Sequence, residues 1–209
     1  GTYAKDFGLN VIVVMCSPQN DFKSVTKKAY DELKSAKVKV IKSPDLKNLK
    51  LSRDTVIVDA LVGTGLKGKL RNSVKESVLK INELGLKYPV VSLDVPSGMN
   101  SDTGYVEDVC VFADITATFV AQKRGCFTTI GKKVSGEVQY SDLDIPKKLF
   151  SKVASSCSVI NFEGLISKVL YREENAHKGV FGHAIIVGGD KGLGGAGILS
   201  SKAAIYCGV

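Results

Sequence analysis

Asp59 follows the apolar stretch Val56-Ile57-Val58 and is followed by Gly63, Thr64 and Gly65, then by Lys67, Lys69 and Arg71. In open parallel sheets, ligands bind beyond the carboxyl ends of the strands. Glycines there bring backbone N–H groups close to an oxyanion, because no Cβ stands in the way. The basic residues add positive charge, and a helix starting near Ser73 adds the positive end of its dipole. The combination suits a phosphate or pyrophosphate. A plain tight turn also explains Gly63-Thr64-Gly65, which is neither a Walker A loop nor GxGxxG.

The next strand end repeats the arrangement. Asp94 closes Val90-Val91-Ser92-Leu93 and is followed by Pro96, Ser97 and Gly98. Taken singly, this is an Asx-type turn. Two neighbouring strands that both end in Asp, each followed by glycine and a hydroxyl residue, ask for more. Carboxylate and hydroxyl oxygens also suit a hard cation.

The elements that position these residues alternate in type. Strands are expected from Val11, Val38, Thr55, Pro89 and Ala113. Val25, Ala29 and Leu33 repeat every four residues and predict a helix over 24–34. Val74, Val78, Ile81 and Leu84 form one face of a second helix over 73–84, with Ser73 and Glu76 spaced as a capping box. Strands alternating with helices imply βαβ units, hence an α/β fold with a three-layer αβα, Rossmann-like parallel sheet covered on both faces. Residues 114–140 read as strand-rich, with glycines at Gly125, Gly131 and Gly136. Residues 1–150 form a first domain and 151–178 a connector. Residues 179–209 restart as strand, glycine loop and helix, a second α/β unit cut short.

Bulk properties narrow the function classes. The chain has 209 residues and a formal net charge of +8. The basic residues are scattered, and seven Tyr and eight Phe without Trp give little for base stacking, so nucleic acid fits poorly. No apolar run approaches the roughly 18 residues of a membrane span. The five cysteines (Cys16, Cys110, Cys126, Cys157 and Cys207) form no CxxC and read as reduced, mostly buried thiols of a cytoplasmic protein. His177 and His183 have no zinc spacing with them. A homo-oligomer is expected, without nucleic-acid or membrane partners.

Three motifs in order, "VDALVGTGLKG", "SLDVPSGMNSDTG" and "ADITATFVAQKRG", resemble the NAD(P)H-hydrate epimerase family of the YjeF N-terminal type, over residues 8–145. "HKGVFGHAIIVGGDKGLGGAGILSSKAA" is similar to the opening of the ADP- or ATP-dependent NAD(P)H-hydrate dehydratase, a ribokinase-like domain. The resemblance implies a bifunctional repair enzyme for NADHX and NADPHX, nicotinamides hydrated at C6, of which this chain holds part. The family's Asn-Asn-Gly-Gly-Asp segment would lie before residue 1, and the dehydratase's nucleotide motif far downstream.

The resemblance also implies roles. Asp59 and Ser97 match potassium ligands. Gly63, Thr64, Gly65, Leu66, Lys67, Gly68 and Lys69 match the substrate loop, and Asp94 lies at the substrate. Lys123 matches a shared basic position that could contact phosphate or assist proton transfer. Ala196 matches a backbone contact to the dehydratase substrate, whose ADP or ATP site would lie outside this chain. His177 and Lys178 match a signature without a role. For epimerisation, ring nitrogen N1 can expel the C6 hydroxyl, and water can return to the iminium from the other face. One carboxyl can act as acid and as electrostatic partner; Asp94 is the candidate. Two rivals remain. A non-catalytic binding module would not need Asp59, Asp94 and Ser97 together. A Rossmann dehydrogenase would show GxGxxG with an acidic residue about 20 positions on.

Overall fold

The computed structural model describes residues 1–16, 22–43, 49–128, 130–150, 152–153, 155, 157–166, 179 and 182–208. His177 and Lys178 lie outside them. Two compact units divide the chain, Gly1–Ser155 and Ser156–Val209.

In the first unit, β1 (Ile12–Met15) pairs in parallel with β2 (Lys39–Lys42). A second ladder runs in the order β3 (Ile57–Asp59), β4 (Val90–Leu93), β5 (Ile115–Phe119) and β6 (Glu137–Ser141), parallel throughout. The helices of this unit are α1 (Thr2–Asp6), α2 (Ser24–Ser35), α3 (Asn72–Gly85), α4 (Gly131–Val134) and α5 (Lys147–Phe150). The parallel α/β architecture and the expected strands are therefore present, each strand one or two residues shorter at its start than the apolar run that predicts it.

Helix α3 binds the sheet through its apolar stripe. Val74, Val78 and Ile81 pack with Ile57, Leu70, Val90 and Val111 in one core cluster. A second cluster joins Val95, Met99, Cys110, Cys126 and Val134 under the turn that follows β4. The expected capping box is corrected. The N-cap is Arg71, in extended conformation and without a side-chain cap bond, so Ser73 lies inside the first turn. There its carbonyl accepts a hydrogen bond from Ser77 Oγ, a back-bond across one turn inside the helix. The periodicity of α2 also buries less than it promised: Val25 is 79% exposed. On β3, Val58 is likewise exposed, so the expected cover on both faces is incomplete at that strand.

The second unit contains α6 (Phe162–Ile166) and α7 (Gly195–Tyr206). The expected strand near Ile185 is absent: residues 182–190 enter no ladder, with Ile185 and Val187 almost fully exposed. A strand is completed only by a hydrogen-bonded neighbour, and the described residues of this unit supply none. Among the described residues no helix is long and apolar enough to cross a membrane.

Candidate active site at two strand ends

β3 and β4 place both carboxylates. Their register sets Asp59 beside Ser92. Asp59 is fully buried. Its Oδ2 accepts from Ser92 Oγ at 2.8 Å and from the Ser97 N–H at 2.9 Å. Its Oδ1 accepts from Ser97 Oγ at 2.6 Å and from the Leu61 N–H at 3.2 Å. These four donors are all neutral, and among the described residues no basic side chain pairs with Asp59. A buried carboxylate without a counter-charge is costly. Together with burial, its negative charge pushes the Cys110 thiol up to about 11.

Ser97 joins the two turns. The Val62 N–H donates to Ser97 Oγ at 2.9 Å, and Ser97 Oγ lies 3.1 Å from the Val62 carbonyl. Ser97 Oγ thus bridges Asp59 Oδ1 and the Val62 carbonyl oxygen, three oxygens of the type that suits a hard cation. Gly98 makes the turn possible. Its φ is +101°, and a Cβ there would meet the Val109 carbonyl oxygen at 2.1 Å.

The glycine loop is anchored at both ends and open between them. Leu61, Val62, Leu66 and Leu70 belong to the core cluster under α3, whereas Gly63, Thr64, Gly65, Lys67, Gly68 and Lys69 are exposed. Apolar anchors fix the loop's path and leave its backbone N–H groups and two lysines to solvent. A Cβ on Gly63 would lie 3.7 Å from Asp94 Oδ2, so the start of the loop faces the second carboxylate.

Asp94 itself has a left-handed backbone, φ 71°, which aspartate tolerates better than most residues. Its N–H donates to the Ala117 carbonyl of β5. Its Oδ1 accepts from the Lys123 ammonium and, at 3.4 Å, from the Phe119 N–H. The order β3-β4-β5 therefore assembles Asp59, Asp94 and Lys123 from three consecutive strand ends.

Residues 1–125 match the model of the family described as YjeF-related protein N-terminus. The chain belongs to the YjeF N-terminal family. The bifunctional NAD(P)H-hydrate repair enzyme Nnr of Coxiella burnetii is 33% identical over 205 residues, which are 98% of this chain and 41% of that protein. The enzyme of the same name from Vibrio cholerae is 37% identical over 150 residues, 71% of this chain and 30% of that one. The bifunctional NAD(P)H-hydrate repair enzyme of Leishmania infantum is 37% identical over 157 residues, 73% and 28% respectively. The chain spans less than half the length of each. In structure, it is similar to yeast ynu0 with a TM-score of 0.61 and 22% identity, over 72% of this chain and 62% of that one, a likeness of fold.

In this YjeF N-terminal domain, Asp59, Ser97, Asp94, Lys123 and the Gly63–Lys69 loop belong to one neighbourhood. Ala196 lies in the other unit, exposed in the first turn of α7. Sequence reasoning missed Ser92, whose hydroxyl is buried against Asp59. It also missed the far wall of the loop. A cavity of about 50 Å³ is lined by Leu66, Gly68, Gly98, Asn100, Tyr105 and Glu107. The Asn100-Ser101-Asp102-Thr103-Gly104 run signals that wall, because Asn100 Oδ1 accepts from the N–H groups of Asp102 and Thr103.

Proposed function

We propose that this chain carries the epimerase half of an NAD(P)HX repair enzyme, interconverting the R and S forms of hydrated NADH or NADPH. The observation that carries the reading is the convergence of Asp94, paired with Lys123, on the open start of the glycine loop. Relatives named bifunctional NAD(P)H-hydrate repair enzymes support it.

The loop binds the diphosphate through the backbone N–H groups of Gly63 to Lys69 and the charges of Lys67 and Lys69. The reduced ring lies against Asp94. Ring nitrogen N1 supplies the electron pair that expels the C6 hydroxyl, which leaves as water after taking a proton. The resulting iminium is a cation, and the Asp94 carboxyl stabilises it. Water then adds to C6 from the opposite face and returns the proton. Asp94 gives the proton as the hydroxyl leaves, and the proton released by the water that adds from the opposite face returns to it through solvent.

The buried, uncompensated carboxylate of Asp59 with Ser97 Oγ and the Val62 carbonyl fits a potassium ion. Such an ion would supply the missing positive charge and fix the two turns relative to each other. In the second unit, Ala196 contacts the substrate of an ADP- or ATP-dependent dehydratase whose nucleotide site lies elsewhere in the full-length protein. The protein acts in the cytoplasm as a homo-oligomer.

The test uses the full-length protein with purified R-NADHX and an excess of S-specific dehydratase, following loss of the R form by chromatography. Consumption faster than spontaneous epimerisation is expected. Consumption at the spontaneous rate would overturn the reading.

A further inference from the structure

Lys123 is bound on two sides. Its ammonium donates to Asp94 Oδ1 and, at 2.7 Å, to the Phe119 carbonyl at the end of β5. Its side chain is only 17% exposed. Two of its three N–H donors are thus spent inside the protein, and the flexible stem that would let a lysine follow a phosphate is enclosed.

The segment it closes is strained. Val120, directly after β5, has φ 66°. A β-branched residue in the left-handed region is a conformational outlier, and such strain persists only where surrounding contacts over-determine it. Those contacts are on hand: the Val120 N–H donates to the Ser141 carbonyl, and the Lys123–Phe119 bond spans the bend. One residue before the bend, the Phe119 N–H donates to Asp94 Oδ1 at 3.4 Å.

The two carboxylate oxygens of Asp94 are therefore unequal. Oδ1 carries both protein donors. Oδ2 has no hydrogen-bond donor among the described residues and faces Gly63 at the mouth of the loop. A carboxylate held by one oxygen presents the other in a fixed direction, and fixed direction is what places a proton donor within reach of a reacting atom.

We infer that Lys123 is a positioning residue: it ties Asp94 Oδ1 to the end of β5 so that Oδ2 alone is presented to the substrate, and it makes no contact with the substrate phosphates. This rests on the epimerase reading above and adds which oxygen of Asp94 works and what aims it.

A double-mutant cycle in the full-length protein tests it. Lys123→Met keeps the packed stem and removes the ammonium. Single-mutant Lys123→Met is expected to lower kcat for R-to-S exchange by on the order of 10-fold or more, with KM within about twofold of wild type. The double mutant Asp94→Asn with Lys123→Met is expected to be no slower than Asp94→Asn alone, because Lys123 acts only through Asp94. A KM increase at unchanged kcat would make Lys123 a phosphate contact and overturn the inference. So would losses that add in the double mutant, or a Lys123→Met enzyme at full rate. Should Lys123→Met fail to fold, Lys123→Gln, which retains a donor for the Phe119 carbonyl, takes its place in the same cycle. A wild-type protein without epimerase activity would overturn the functional reading and this inference with it. An active wild type with an additive cycle overturns this inference alone.

Discussion

Ser97 Oγ lies 2.6 Å from Asp59 Oδ1 although the residues are 38 positions apart in the chain. That contact joins the turn after β3 to the turn after β4, and Asp94 sits three residues before it. Asp59, Ser97 and Asp94 are therefore held through two turns that are hydrogen-bonded to each other.

Asp59→Asn replaces an acceptor-only oxygen by an amide that confronts the donors of Ser97, Ser92 or Leu61. Loss of those bonds is expected to lower stability by about 2 kcal/mol. If the site holds potassium, the melting temperature of the wild type rises with potassium chloride relative to equal N-methylglucamine chloride, and that of the variant does not. A wild type indifferent to the cation would remove potassium from the site.

Asp94→Asn keeps shape and most hydrogen bonding but removes the ionisable group. Exchange between epimers in the full-length protein is expected to fall by on the order of 10² or more, the usual scale for losing a general acid. Binding measured by isothermal titration should change little, since the loop contacts remain. An unchanged exchange rate would reduce Asp94 to a strand-end cap.

Lys67 and Lys69 are exposed on the glycine loop and carry flexible point charges. Changing both to Ala is expected to raise KM and flatten its dependence on ionic strength, with kcat nearly constant. A collapse of kcat at constant KM would give the loop a chemical role instead.

Two glycines separate folding from binding. Gly98→Ala drives a methyl into the Val109 carbonyl at a positive φ, and a loss on the order of 3 kcal/mol is expected in urea unfolding. Gly65 faces open space. Gly65→Ala should leave stability within about 0.5 kcal/mol of wild type while raising KM, if the loop binds the diphosphate as proposed. Equal stability losses at both positions would refute the distinction.

Cys110 gives a pH signature. Burial first, and then the Asp59 charge, raise its thiol from 9.0 to about 11. The unfolded chain ionises this thiol first, so the native state binds more protons between those values. The stability tied to the neutral thiol is fully present below pH 9 and is lost as pH rises through about 11. In thermal melts from pH 8 to 11, Cys110→Ala should lose less stability than wild type. Parallel curves would contradict the assignment.

The sequence by itself determined the strands of the first unit from β1 to β5, the parallel α/β class and the identity of the strand-end residues. Alternating apolar runs and the Val74, Val78 and Ile81 stripe are local signals, and glycine next to a carboxylate marks a turn wherever it occurs. It could not fix Arg71 as the N-cap of α3, because capping depends on the backbone angles with which the chain enters the helix. Nor could it decide the strand near Ile185, which needs a neighbour to bond with. Only the tertiary structure showed that Ser92 faces Asp59, since cross-strand register is a property of two strands and not of either sequence. Only it showed that Lys123 is spent on Asp94 and Phe119. An exposed lysine and an enclosed one have the same local sequence, and the difference is made by the order β3-β4-β5, which sets three strand ends side by side.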